Sequence, residues 1–267
     1  MEDDNFQQLI NKISTNIEAF TYPLLRVDSK DLPDVYASCV FVEISGKFFF
    51  ITAAHAIRDH HKGLLTRGDG QLVDIEGATT LSKFPGKDHF DIAAIHIADS
   101  FVKENKIEVV GRNKFVTSVK VTNPHSRVVA GYPASMNKQN KILDKANKRF
   151  TGKSFCYFAF AEFNGDYSLF QKSPNVHVGL EFKSGKDDKG RQITTPPWPP
   201  RGFSGGGSWL IPDLNHPENF FLEGIFIEGH KRAKRMFGFS TRLKHIEDFI
   251  SQPHNKALQS DRPTAGR

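Results

Sequence analysis

The feature that most constrains this chain is a long succession of short segments with a two-residue apolar period and no helical pattern between them. Residues 35–44 and 47–52 read as two strands, and Ser45-Gly46 between them reads as a tight hairpin turn. Further strands are expected at 71–75, 91–97, 118–122, 127–131, 155–163, 176–182, 208–211, 220–228 and 236–240, separated by turn residues. Many short strands without interleaved helices argue for an all-β barrel or sandwich. The aromatic content points the same way. Phenylalanine occurs 24 times against five tyrosines and two tryptophans, and aromatic side chains pack well on pleated surfaces.

Helical periodicity is confined to the two ends. Phe6, Leu9, Ile10, Ile13, Ile17 and Phe20 recur at spacings of three and four, which predicts an amphipathic helix over 5–20 that docks on the body of the protein. Tyr22-Pro23 ends it, because the residue before a proline is pushed out of the helical region. A closing helix is expected over 241–250, with Leu243, Ile246, Phe249 and Ile250 on one face. The stretches 137–153 and 184–200 read as exposed loops. The chain then divides into an N-terminal helix and linker (1–33), a body (34–250) and a disordered polar tail (251–267).

Composition removes several classes of function. A chain of 267 residues buries a core without disulfide or metal staples. With 38% hydrophobic and 25% charged residues it is globular, and no run of 18 apolar residues is present to span a membrane. The acidic start, Met1-Glu2-Asp3-Asp4-Asn5, has no apolar segment behind it, so no secretory signal is expected. Two cysteines, Cys39 and Cys156, exclude a disulfide scaffold and favour a reducing, cytoplasmic setting. The net charge of +6 permits an anionic partner without demanding one. The basic stretches 183–191 and 231–235 lack interleaved aromatics, so nucleic acid is not expected as a partner. His55, His60 and His61 have no matching cysteine or histidine cluster, and no phosphate-cradling glycine motif occurs; neither metal nor cofactor is expected.

Three pieces carry chemistry. In Gly202-Phe203-Ser204-Gly205-Gly206-Gly207, glycines let the backbone turn sharply, expose the hydroxyl and leave N–H groups free to converge on an oxyanion. Ile51-Thr52-Ala53-Ala54-His55 places a histidine where an apolar strand ends, among residues small enough to let other groups approach the ring. Asp91 opens the apolar strand Ile92-Ala93-Ala94-Ile95, and a carboxylate entering a core needs a hydrogen-bonding partner such as a histidine N–H. Taken singly, each has a plainer reading. Glycine-serine runs also make flexible loops, and a lone histidine at a strand end is more often structural.

Together the pieces stand in the order His, Asp, Ser, and the sequence resembles the trypsin-like (chymotrypsin-fold) serine peptidases of the disulfide-poor bacterial kind. The resemblance rests on Thr52-Ala53-Ala54-His55, Asp91-Ile92-Ala93, Gly131-Tyr132-Pro133 and Gly202-Phe203-Ser204-Gly205-Gly206. Gly224-Ile225-Phe226-Ile227-Glu228-Gly229 and Gly238-Phe239-Ser240-Thr241-Arg242-Leu243 complete it, over residues 34–250. It implies two six-stranded antiparallel β-barrels, divided near 112–125, with the active site in the cleft between them. In that template Ser204 is the nucleophile, His55 the general base and then acid, and Asp91 the group that fixes the imidazole tautomer. The Gly202 and Ser204 N–H groups would form the oxyanion hole. Protein or peptide substrates follow, and an unsecreted peptidase leaves room for a regulatory protein partner. The rival reading is a catalytically silent homologue that binds proteins.

The sequence departs from that pattern at Phe203, at Ile227, and at Ser240, which stands where many members have an aromatic. Phe203 stands where secreted relatives carry an aspartate that captures a new N-terminus, so activation of that type is not expected, and an apolar anchor for the loop is. Ile227 replaces a small polar residue that leans on the aspartate–histidine pair. For substrate binding the resemblance points to Gly229 and Gly238 beside an open primary pocket with its floor near Trp198. No acidic residue lies there, so a preference for Lys or Arg is not expected. The basic run His230-Lys231-Arg232-Ala233-Lys234-Arg235 reads either as a solvated loop or as an attractor of acidic substrate residues.

Overall fold

The computed structural model describes residues 2–27, 33–58, 65–68, 71–75, 77–82, 90–118, 125–138, 143–144, 149–159, 161–182, 201–232 and 235–251. Seven strands come first: β1 (Tyr22–Val27), β2 (Pro33–Ile44), β3 (Lys47–Ala53), β4 (Leu65–Gly68), β5 (Gln71–Asp74), β6 (Ala78–Leu81) and β7 (Ile92–Ile97). Then follow β8 (Ser126–Gly131), β9 (Leu143–Asp144), β10 (Arg149–Phe150), β11 (Phe155–Ala159) and β12 (Ala161–Glu162). The last are β13 (His177–Phe182), β14 (Gly207–Ile211), β15 (Phe221–Arg232) and β16 (Arg235–Arg242). Helices α1 (Glu2–Glu18), α2 (Ala54–Arg58), α3 (Asp99–Glu104) and α4 (Leu243–Ser251) accompany them.

Two curled antiparallel sheets result, one in the order β6-β7-β3-β2-β1-β4-β5-β10-β9 and the other β11-β8-β14-β15-β16-β13-β12. This is the two-barrel all-β architecture. Period-2 alternation explains how the sheets pack. On β2, Cys39 and Phe41 point into the first barrel's own core with Phe50, Ile95 and Ile97. Val40 and Val42 point the other way, into a core shared by both barrels that also holds Ile92, Val128, Trp209, Ile225 and Ile227. On β15, Phe226 turns instead into the second barrel with Val129, Tyr157, Val178 and Phe203. Strands buried on both faces read as near-continuous apolar runs, and β2 and β15 do. The segment between β7 and β8 is stitched to both barrels by parallel bridges, Val42 to Val110 and Phe115 to Leu222.

Three elements differ from the sequence expectation. The stretch taken as a linker contains β1, paired with both β2 and β4. Its pattern is hidden because Leu24 and Leu25 are both fully buried, the first in the first barrel's core and the second against Val35, Tyr132 and Phe150, while the bulge opposite them leaves Tyr36 of β2 as the extra residue. The 137–153 stretch, expected as an exposed loop, supplies the β9–β10 hairpin, which crosses over to extend the first sheet through Arg149 opposite Gln71. Phe150 anchors it against Tyr132, with ring centroids 5.8 Å apart. Ser118, expected to open a strand, ends a short 3-10 turn (Val116–Ser118), and 119–122 lie outside the described residues. So do the 184–200 loop and all but the first residue of the 251–267 tail.

Helix α1 docks as its periodicity requires. Ile13 and Ile17 are fully buried in the shared core, and Phe20 stacks obliquely on Trp209 and Phe220 at 5.9 and 5.8 Å. Ile13→Val should therefore lower unfolding free energy in urea by about 1 kcal/mol through the lost methyl group. Lys12→Ala, which removes only the exposed Lys12–Glu218 pair, should change it far less. Cys39 and Cys156 lie on β2 and β11, in different sheets, and are not joined in a disulfide. Burial pushes the Cys156 thiol up to about 12, which keeps it protonated and a poor nucleophile. No helix among the described residues is long and apolar enough to cross a membrane.

Candidate active site

His55 sits in the first turn of α2, immediately after β3 ends at Ala53. Asp91 lies just before β7, opposite it: Ala53 pairs with Ile92, and the Ala54 N–H donates to the Asp91 carbonyl at 2.8 Å. Both carboxylate oxygens of Asp91 are directed at His55. Oδ2 lies 2.6 Å from Nδ1, and Oδ1 accepts the His55 backbone N–H at 3.0 Å. This needs Asp91 in the left-handed region, φ +47°, which aspartate tolerates better than most residues. The neighbouring Phe90 carbonyl accepts a 2.6 Å bond from Thr241 Oγ1 on β16, so the second barrel helps hold the aspartate in place. The Asp91 side chain is 19% exposed and the His55 side chain 43%.

Ser204 comes from the other barrel, on the loop before β14. Gly202 and Gly205 have φ of +94° and +90°, and a Cβ on either would collide with neighbouring backbone, at Tyr132 and Ser38 respectively. The loop is therefore written in glycine for a reason of space as well as backbone freedom. Phe203 between them is fully buried and packs edge-on against Tyr157 at 5.2 Å. It acts as the apolar anchor expected from the sequence. Gly205 and Gly206 spend their N–H groups on the Phe226 and Phe203 carbonyls, at 2.7 and 2.8 Å. Among the described residues the N–H groups of Gly202, Phe203 and Ser204 donate to nothing, and successive unbonded N–H groups are what an anion requires. The Arg201 carbonyl is held by the Ala134 N–H at 2.8 Å, and because the next peptide is trans, this fixes the Gly202 N–H to point the opposite way.

The two halves meet at Ser38, a fully buried residue of β2. Its N–H donates to the Ser204 carbonyl at 2.9 Å, and its hydroxyl donates to the Gly202 carbonyl at 2.6 Å. The same hydroxyl accepts the Tyr132 N–H at 2.8 Å, while the Ser38 carbonyl accepts Thr52 Oγ1 at 2.7 Å. Thr52 also lies directly against Gly205 and stands three residues before His55. Two paired strands of the first barrel thus divide the task, β3 leading to the histidine and β2 gripping the serine loop. Ser204 Oγ itself donates to the Ile227 carbonyl at 3.2 Å.

Gly229 and Gly238 are direct partners across β15 and β16, whereas Trp198 lies outside the described residues. Past Ile225, the last β15 residue paired with β14, one edge of β15 has no strand partner among the described residues. No cluster of three or more His, Cys, Asp or Glu is placed to hold a metal among them.

The fold has a counterpart among solved structures. Kallikrein-related peptidase 10, in complex with Zn2+, superposes with a TM-score of 0.50 at 16% identity, over 88% of this chain and 95% of that one. The fold is that of the trypsin-like serine peptidases. The HtrA-type protease AlgW, solved with a tripeptide, gives 0.49 at 12% identity, over 88% of this chain and 60% of its own. No protein-family model matches the chain, and no curated protein does. In this chain His55 and Asp91 come from the first sheet and Ser204 from the loop before β14 of the second. Sequence reasoning named these three but missed Ser38, Thr52 and Thr241. The one signal for them was a small polar residue inside each apolar strand.

Proposed function

We propose that the chain is an intracellular bacterial serine endopeptidase that cleaves peptide bonds through an acyl-enzyme. The observation that carries the proposal is the Asp91–His55 pair, in which one carboxylate oxygen meets the imidazole Nδ1 and the other accepts the backbone N–H of the same histidine. A histidine so held keeps its proton on Nδ1 and presents Nε2 as a base. Ser204 Oγ attacks the scissile carbonyl while Nε2 takes its proton. The imidazolium, steadied by Asp91, returns that proton to the departing amine as the C–N bond breaks. Water then repeats the sequence on the ester and restores the serine. The Gly202 and Ser204 N–H groups receive the oxyanion, each such donor supplying about 3 kcal/mol of barrier lowering. The open edge of β15 takes the substrate as an added strand, with Gly229, Gly238 and Trp198 around the primary side chain. The fold's peptidase relatives support protein or peptide substrates, and two cysteines not joined in a disulfide fit a reducing compartment.

The Ser204–Ile227 bond favours a second reading, a silent homologue that binds proteins, because it draws the hydroxyl toward a carbonyl. A long or misaligned nucleophile bond is common before substrate arrives, and one χ1 rotation redirects Oγ. Labelling with a fluorophosphonate separates the two. Wild type should label and Ser204→Ala should not; a folded wild-type protein that stays unlabelled would exclude the peptidase.

A further inference from the structure

The β15 edge beyond Ile227 leads to a pocket of about 300 Å3 lined by Leu169, Phe170, Gln171, His230, Lys231 and Arg232. His230 to Arg232 lie three to five residues past the carbonyl that Ser204 touches, on the order of 10–16 Å along a strand. Phe170 and His230 form an aromatic wall, with ring centroids 5.1 Å apart. The charges here do not cancel. Glu228 is the nearby acid, and it is already engaged: Lys172, only 9% exposed, holds it at 2.7 Å, and His230 Nε2 lies 3.1 Å away. Burial would raise that carboxyl, but the His230 and Lys172 contacts outweigh it and hold it at about 2, so it stays ionised and paired. Arg235 on the same hairpin is spent on Glu181, at 2.7 Å. Lys231 and Arg232 carry no ion pair among the described residues. The pocket mouth therefore holds two uncompensated positive charges.

We propose that this pocket receives an acidic side chain of an extended peptide, three to five residues on the amino-terminal side of the bond presented to Ser204. The direction follows from the sheet. β15 pairs antiparallel with both its neighbours, so a peptide added antiparallel runs toward its own N-terminus as β15 runs from Ile227 to Arg232. A carboxylate there meets an ammonium and a guanidinium, the latter able to bind it with two parallel N–H bonds. Only the position of the scissile bond rests on the peptidase reading; the charge preference does not.

The test uses full-length Ser204→Ala protein, so that nothing is turned over. Two fluorescein-labelled hexapeptides, identical except for Glu or Ala four residues before the bond, are compared by anisotropy. The Glu peptide should bind about ten-fold more tightly at low salt, the scale of two partly exposed charge pairs. The advantage should collapse in 1 M NaCl, where screening is short-ranged. Lys231→Glu/Arg232→Glu should abolish or invert it. Equal affinities for the two peptides, or a preference that survives both salt and charge reversal, would overturn the proposal. Fluorophosphonate labelling of wild type reports separately on the peptidase. Acid-selective binding without labelling sinks the catalytic reading alone, and labelling without acid selectivity sinks the pocket alone.

Discussion

Asp91→Asn should lower kcat/KM at neutral pH by about 10^4 while leaving the protein folded. The fold survives because asparagine, like aspartate, accepts the left-handed backbone that position 91 requires, φ +47°. Activity is lost through the tautomer. Oδ1 of residue 91 accepts the His55 backbone N–H at 3.0 Å, and in the variant only the amide oxygen can do so. The amide NH2 must then face Nδ1, at the site where Oδ2 now lies 2.6 Å away. An NH2 group donates, so Nδ1 becomes an acceptor and the ring proton moves to Nε2. An imidazole protonated there cannot take the serine proton. Thermal melting and fluorophosphonate labelling rates, measured side by side, check the two halves. A variant that keeps near wild-type activity would show that His55 is not the base.

The same residues show how far the sequence could be read. His55, Asp91 and Ser204 each occupy a local setting with a chemical signature: a strand end, a strand mouth, a glycine loop. The all-β class was legible in the strand-like runs of β2, β3, β7 and β15, whereas two barrels were implied only by the resemblance, because strands that bury one face in a barrel core and the other in the shared core do not show in sequence which core each face meets. β1 was not, because Pro23 reads as a helix stop and Leu24 and Leu25 are buried in two different clusters, which leaves no polar face to mark the period. The β9–β10 hairpin was hidden in a lysine-rich stretch, where the single Phe150 carries its packing. Ser38 was invisible for a different reason. Its hydroxyl's partners lie 164 and 94 positions away in the chain, and no local pattern encodes a contact at that range. Ile227, read as a missing support for Asp91, contributes through its backbone instead, by accepting from Ser204.

The departures from the pattern that the resemblance implies are coherent in physical terms. An ion pair formed after cleavage is one way to fix an oxyanion loop, and a buried aromatic is another. Phe203 is fully buried between Tyr157 and Phe226, its rings 5.2 and 6.4 Å from theirs, in a barrel that needs no disulfide. A loop anchored this way is set when the chain folds, so removing residues before β1 should not be what switches the site on.

That leaves the Ser38 hydroxyl as the polar counterpart of the Phe203 anchor, and Ser38→Ala should expose its role. The substitution leaves the Gly202 carbonyl and the Tyr132 N–H buried without the partners that now lie at 2.6 and 2.8 Å. An unsatisfied buried group costs about 1–3 kcal/mol, so the loss of stability should be about 2–5 kcal/mol. The catalytic effect is separable from it. The Ser38 N–H still grips the Ser204 carbonyl, so the nucleophile stays attached, while Gly202, a candidate oxyanion donor, is released. At a temperature where the variant is fully folded, kcat should fall by about ten-fold or more with KM nearly unchanged, as expected when an interaction made only in the transition state is weakened. Binding of a peptide boronate, which mimics the tetrahedral adduct, should weaken in proportion. Ser38→Thr keeps the hydroxyl and should recover most of kcat despite its extra methyl group. If Ser38→Ala lost stability but kept kcat and boronate affinity, Ser38 would be a brace for the barrels with no part in positioning the oxyanion loop.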